Sequence, residues 1–163
     1  GKLLAESDDT VTIDVLASQV RFRFGNVELV SKLVEGKFPD YNRVIPTGHG
    51  KIVELPRTEL LAALSRAAIL SNEKFRGVRM VLAADQLKII CSNSEQEDAE
   101  EELPIAYSGD GLAIGLNITY LLDALQNVAR TDVRLPFGSA TSSALITIPG
   151  RDDYKYVVMP MRI

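Results

Sequence analysis

The sequence predicts an α+β fold in which a β-α-β-β-β unit is used twice, with two helices packed on antiparallel sheet. Three observations predict it. The first is an internal repeat: Leu55–Ala68 (LPRTELLAALSRAA) aligns without gaps with Leu116–Ala129 (LNITYLLDALQNVA), and both carry Leu, Thr, Leu-Leu, Ala, Leu and Ala at the same places. The second is the leucine spacing i, i+1, i+4 in each copy, with small or polar residues opposite, which is the pattern of an amphipathic helix. The third is the setting. Each copy follows one apolar run and precedes three strand-like stretches.

Taken in order, the first 46 residues fit the unit with its front missing. Val11–Val15, Val20–Phe24 and Val27–Leu33 read as strands joined by turns at Leu16–Gln19 and Gly25–Asn26, and Lys2–Ala5 reads as the last turn of a helix. A chain that opens in mid-repeat is expected to be a fragment; a 163-residue protein with an N-terminal hairpin extension is the alternative. Ile52–Leu55 leads into the first helix, where Thr58 and Glu59 behind Pro56 mark a helix start. Val78–Leu82, Leu87–Ser92 and Glu101–Tyr107 follow as strands. Leu112–Leu116 leads into the second helix, with Asn117 as its start, and Val133–Phe137, Ala144–Ile148 and Tyr154–Met159 complete the second unit. Turns at 83–86, 108–111 and 149–153 separate these strands.

Composition is that of an ordinary globular chain, 46% hydrophobic and 25% charged over 163 residues. One cysteine, Cys91, excludes an internal disulfide and a cysteine-rich zinc site. No apolar run approaches the ~18 residues of a membrane span, and residues 1–20 lack a signal-peptide pattern, so the expected location is cytoplasmic. The net charge of −4 is unevenly placed. Residues 95–102 (EQEDAEEE) hold six acids and no base, and without them the balance is +2. A protein that grips phosphates shows a basic excess, so any contact with nucleic acid is expected to be loose.

Motifs for bond chemistry are lacking. His49, in PTGHGK, stands alone; the loop lacks phosphate-loop spacing, runs into a strand rather than a helix, and reads as a solvated connection. Cys91 lies in the alternating stretch LKIICS and reads as a small core residue, while Ser142 and Ser143 have no base nearby in sequence. The acidic block lacks calcium-loop spacing and reads as a surface patch. No catalytic residue, metal or cofactor is therefore expected. The outer helix faces are expected to carry Ala62, Ala63, Arg66, Asp123, Gln126, Asn127 and Arg130, either a plain solvent face or one that lies near a polyanion without gripping it. The C-terminal YVVMPMRI is apolar almost to its last residue, either an edge strand completing the sheet or a deformable methionine-rich surface of the kind used for peptide recognition.

Several stretches together resemble one family: SKLVEGKFPDYNRVIP (31–46), SRAAILSNEKFRGVRM (65–80), the acidic block and the terminal YVVMPMRI. They are similar to the bacterial sliding clamp, the beta subunit of the replicative DNA polymerase III, over nearly the whole chain. The resemblance implies a DNA clamp fold, with 1–47 the back half of a middle clamp domain and 48–163 a complete third domain. It implies a non-enzymatic processivity factor. Two subunits would close head-to-tail around duplex DNA, and the polymerase catalytic subunit, the clamp loader and repair polymerases would dock through a short linear motif.

Carried over residue by residue, the resemblance places Pro39, Arg43, Val44, Phe75, Asn117, Tyr120, Thr141 and Ser143 on the peptide pocket, with Val157, Val158, Met159, Pro160, Met161 and Arg162 of the tail. Thr141 stands where an aliphatic residue is expected. Ile69 and Leu70 correspond to the apolar contact with the neighbouring subunit, and Glu95, Glu97, Asp98, Glu100 and Glu101 would face basic residues there. Arg66 would face DNA. The competing readings are a hydrolase or transferase on an α+β sandwich, against which one histidine and one cysteine argue, and a stand-alone peptide-binding adaptor.

Overall fold

In the computed structural model, the described residues are 9–38 and 40–163. Contacts divide the chain into two compact units, 1–39 and 40–163. The expected helical turn at Lys2–Ala5 lies outside the described residues.

The first unit is a three-stranded antiparallel meander of β1 (Thr12–Val15), β2 (Gln19–Phe24) and β3 (Val27–Lys32). Phe24 and Val27 pair directly across the two-residue turn, and Gly25 takes φ +51° there, the left-handed geometry that such hairpins require. Phe24 is buried, whereas Ile13, Val15, Leu29 and Val30 are exposed.

The second unit repeats one order twice, as the sequence predicts. The first copy is β4 (Lys51–Pro56), α1 (Arg57–Ala67), β5 (Gly77–Ala83), β6 (Gln86–Ser92) and β7 (Asp98–Pro104). The second is β8 (Leu112–Asn117), α2 (Ile118–Gln126), β9 (Asp132–Phe137), β10 (Ala144–Ile148) and β11 (Arg151–Val158). The sheets do not follow the repeats. Strand order is β7-β6-β5-β8 in one sheet and β11-β10-β9-β4 in the other, so each copy gives its leading strand to its sibling's sheet. The pairing is long on both sides: β4 runs along β9 from Lys51↔Phe137 to Pro56↔Asp132, and β5 along β8 from Gly77↔Asn117 to Leu82↔Leu112.

The helices are tied end to end. Asn117 caps α2 by accepting from the backbone N–H of Thr119 and Tyr120. The start of α1 differs from the expectation: Thr58 and Glu59 make no cap, and Pro56 has no side chain to offer. Instead the Arg57 N–H donates to the Thr131 carbonyl at 2.7 Å. The Arg57 guanidinium reaches on to the Leu125 carbonyl in the last turn of α2 and to the Arg130 carbonyl beyond it, at the end of the helix that favours a cation. At the other end the Ile118 N–H donates to the Arg76 carbonyl. Leu60, Ala63, Leu64 and Ala67 of α1 and Ile118, Leu121, Ala124 and Leu125 of α2 enter one hydrophobic core with the inner faces of both sheets, so Ala63 belongs to the buried face and not to the outer one expected for it, its position lying one turn from Leu60 and Ala67.

Two further readings are corrected. His49 is half-buried rather than a solvated connection, its Nδ1 3.1 Å from the Pro136 carbonyl, near the end of β9. The last strand of the first copy runs over Asp98–Pro104, three residues earlier than expected, so the acidic block is largely strand. Its charges alternate across the sheet: Glu100 and Glu102 hold Lys88 at 2.7 and 2.6 Å on one face, while Glu101 points to the helix side with Ala99 and Leu103. As the edge of its sheet, β7 is guarded against stray pairing by those carboxylates.

Cys91 is 1% exposed in the core, and burial pushes its thiol up to about 11. The folded state therefore holds this proton where the unfolded chain has lost it, so stability falls as pH rises from about 9 toward 11. A disulfide reagent should label the thiol only after denaturant is added at pH 8; labelling of the native protein at the unfolded rate would contradict the burial.

Candidate functional site

The alternation of β11 places Val157 half-exposed and Val158 in the core at 1% exposure. Val158 thus supports the strand from within and presents no side chain to a ligand, unlike the surface role carried over for it. One residue on, Met159 is 64% exposed, and the Ser143 hydroxyl donates to its sulfur at 3.1 Å. Ser143 directly precedes β10, whose Ala144 pairs with Val158, so strand register sets that contact. Thr141 is exposed in a hydroxyl-rich turn where Ser139 Oγ lies 3.2 Å from its Oγ1.

Beyond β11 the tail leaves its own sheet and crosses the outer face of the other. The Met161 N–H donates to the Gly115 carbonyl of β8 at 2.9 Å. Two glycines make the crossing possible. A Cβ on Gly77 would meet Ile163 at 2.6 Å; one on Gly115 would meet Ile163 at 2.7 Å and collide with the Met161 carbonyl. Both are in-strand glycines where another backbone approaches closely. Gly115→Ala should lift the tail, which would appear as faster hydrogen exchange at the Met161 amide, by at least about tenfold, with β5 amides unchanged. An unaltered Met161 rate would show that the seat tolerates a methyl group.

The tail joins two groups of expected site residues. Ser143 and Met159 meet at the strand end. Phe75, Met161 and Arg162 line one cavity of about 420 Å³ on the far side. Asn117 pairs with Gly77, and Tyr120, 55% exposed, follows on the first turn of α2. Arg43 and Val44 are exposed at the 3-10 turn Tyr41–Arg43, which Asp40 caps by accepting from the Asn42 N–H. Pro39 lies outside the described residues.

A second surface region gathers the residues expected at the subunit contact. Ile69, 80% exposed, stands on the 3-10 turn Ala68–Leu70 after α1, with Leu70 half-buried beside it. Ile69 and Glu95 line the same hollow of about 480 Å³. Glu97 accepts from Asn93 Nδ2 at 2.7 Å, and Asp98 is exposed at the start of β7. Arg66 and Glu101, assigned by sequence to different surfaces, are paired with each other. Arg66 Nε donates to one carboxylate oxygen at 2.7 Å and Nη2 to the other at 2.6 Å. That two-point bond holds the Glu101 carboxyl below its usual range and raises the guanidinium. Among the described residues no group of three or more His, Cys, Asp or Glu is placed to hold a metal. No helix there is long and apolar enough to cross a membrane.

The sequence reading missed Gly77, Gly115, Arg79, Ile90 and Ser92 around the tail. Glycine inside two otherwise apolar strands was the available signal.

The family model described as DNA polymerase III beta subunit, C-terminal domain, matches residues 42–162. The chain belongs to this family. The span matched to the beta-subunit family contains both helices, both sheets of the second unit, and every candidate site residue from Arg43 to Arg162. Over 162 residues the chain is 49% identical to the beta sliding clamp of Pseudomonas putida and 42% identical to that of Escherichia coli, covering 99% of this chain and 44% of each relative. It therefore spans less than half the length of these curated relatives. A crystal structure of the DNA polymerase sliding clamp from Pseudomonas aeruginosa with ligand superposes with a TM-score of 0.80 at 48% identity, covering 99% of this chain and 44% of that one. The Caulobacter crescentus pol III beta structure gives 0.81 at 35% identity, with the same coverage. The fold is the clamp fold.

Proposed function

We propose that this chain is the partner-docking part of a sliding clamp, with 1–47 contributed by a middle clamp domain and 48–163 forming the third. In the whole protein two copies would close head-to-tail around duplex DNA in the cytoplasm and tether the polymerase catalytic subunit, the clamp loader and repair polymerases. No bond is made or broken in this reading; the protein works by encirclement and by docking. Ile69, Leu70 and the acids from Glu95 to Glu101 would face the second copy. Lys88 and Arg66 already neutralise Glu100 and Glu101, which leaves Glu95, Glu97 and Asp98 to steer closure more than to supply affinity. Arg66 would lie toward DNA as a partly neutralised cation, and a weak, interchangeable phosphate contact suits a clamp that moves.

The observation that carries the docking reading is Met159. It is a large apolar side chain left 64% exposed, yet fixed on both sides, by Ser143 and by a tail pinned to Gly115. In this reading Met159, with Val157 and Val44, would form an apolar slot for a leucine or phenylalanine anchor. Each buried anchor contributes about 1.5–3 kcal/mol, and association entropy offsets much of that. Titration of a labelled peptide carrying a Leu-Phe pair tests the reading. About micromolar affinity is expected; absence of binding at about millimolar peptide would sink it.

A further inference from the structure

The cavity beneath the tail is more than an extension of an apolar slot. Its lining includes Phe75, Ile90, Met161 and Ile163, and two arginines, Arg79 and Arg162, stand in it with no aspartate or glutamate among the lining residues. Three arginines of the described residues, Arg79, Arg130 and Arg162, have a guanidinium with no ion pair or hydrogen bond to the protein, and two of the three are here. Four other cations of this unit are held by carboxylates: Arg66 by Glu101, Lys88 by Glu100 and Glu102, Arg134 by Glu54, and Arg151 by Asp153.

The tail that walls the cavity is held in place by the glycine seat. Arg79 lies on the same outer face of β5 as Gly77 and pairs in register with Gly115. Strand register therefore places Arg79 on the face where the Gly115 carbonyl binds the backbone that carries Met161 and Arg162. At about 420 Å³ the space is in the range of sites that hold a ligand.

We infer that this cavity is a second docking subsite, which takes a carboxylate-bearing residue flanking the apolar anchors of a bound peptide, with Arg79 and Arg162 as the groups that receive the acid. The inference rests on the docking reading above. Charge complementarity selects the occupant: an apolar wall with two unmatched cations fits an acidic peptide segment and disfavours a basic one. Phe75, Met161 and Arg162 belong both to this cavity and to the expected peptide pocket, so one extended chain can reach both.

Fluorescence anisotropy on the 163-residue chain tests it with two labelled probes. One carries a Leu-Phe pair flanked on each side by two glutamates; the other has glutamines in their place. The glutamate probe should bind about three- to fivefold tighter at about 0.01 M salt, with the preference fading toward about 1 M. Arg79→Gln should abolish most of the preference while the glutamine probe binds as before. Arg151→Gln, which removes the same formal charge from the start of β11, outside the cavity, should leave it intact. Equal affinity of the two probes at low salt, or a preference that survives Arg79→Gln, overturns the subsite and leaves the docking reading standing. Failure of both probes to bind overturns the docking reading and the subsite with it.

Discussion

Leu64→Ala lowers stability by about 3–5 kcal/mol, among the largest losses expected from a single side chain here. Leu64 is 0% exposed, on the inner face of α1, in the core shared by the two helices and both sheets of the second unit. Its repeat counterpart Leu125 is equally buried on α2. Truncation removes three carbons from a site enclosed by separate layers, and long cross-strand pairing on both sides stops those layers from closing over the void. Urea denaturation should show a lower midpoint with an unchanged slope. Leu61→Ala, at a half-buried position one residue round the helix edge, should cost less than half as much. A loss below about 1 kcal/mol for Leu64→Ala would mean that the inner face of α1 is not where the core lies.

Met159→Ala has the opposite profile. The side chain is 64% exposed, so folding stability should move by no more than about 0.5 kcal/mol. Binding of a Leu-Phe peptide should weaken about tenfold or more, or about 1.4 kcal/mol, because a flexible thioether that moulds to an anchor is lost. Val158→Ala provides the contrast: at 1% exposure it should lose stability first and affinity only as a consequence. Ser143→Ala should fall between wild type and Met159→Ala, since it frees the sulfur without removing it. Unchanged peptide affinity in Met159→Ala would take the end of β11 out of the site.

Much of this architecture was legible in the chain itself. The gapless match of Leu55–Ala68 with Leu116–Ala129 locates both helices, and strand patterning locates all eleven strands to within about three residues at either end. The strand displaced at both ends is β7. Its acids hide an alternation of Ala99, Glu101 and Leu103 against Asp98, Glu100 and Glu102, which is clear only once Lys88 and Arg66 are seen to neutralise them. Pairing partners were not legible, because a period of two says which face a residue takes and nothing about which strand lies beside it. The Arg66–Glu101 bond, 35 residues apart in sequence, was hidden for the same reason. Of the site, the tail was visible as an apolar end, but its seat on Gly77 and Gly115 was not, although glycine within a strand is a known sign of close backbone approach.

The crossing of leading strands between the two copies has a consequence for how the second unit can come apart. Neither copy owns a finished sheet: β4 completes the sheet of the later copy and β8 that of the earlier one. Nicking the backbone at the exposed Ser108–Gly111 link would give two pieces clasped like hooked fingers, each ragged alone and whole only in the other's grip. Such pieces, mixed from denaturant, should knit back together, and the uncut unit should melt as one body with no half surviving the other.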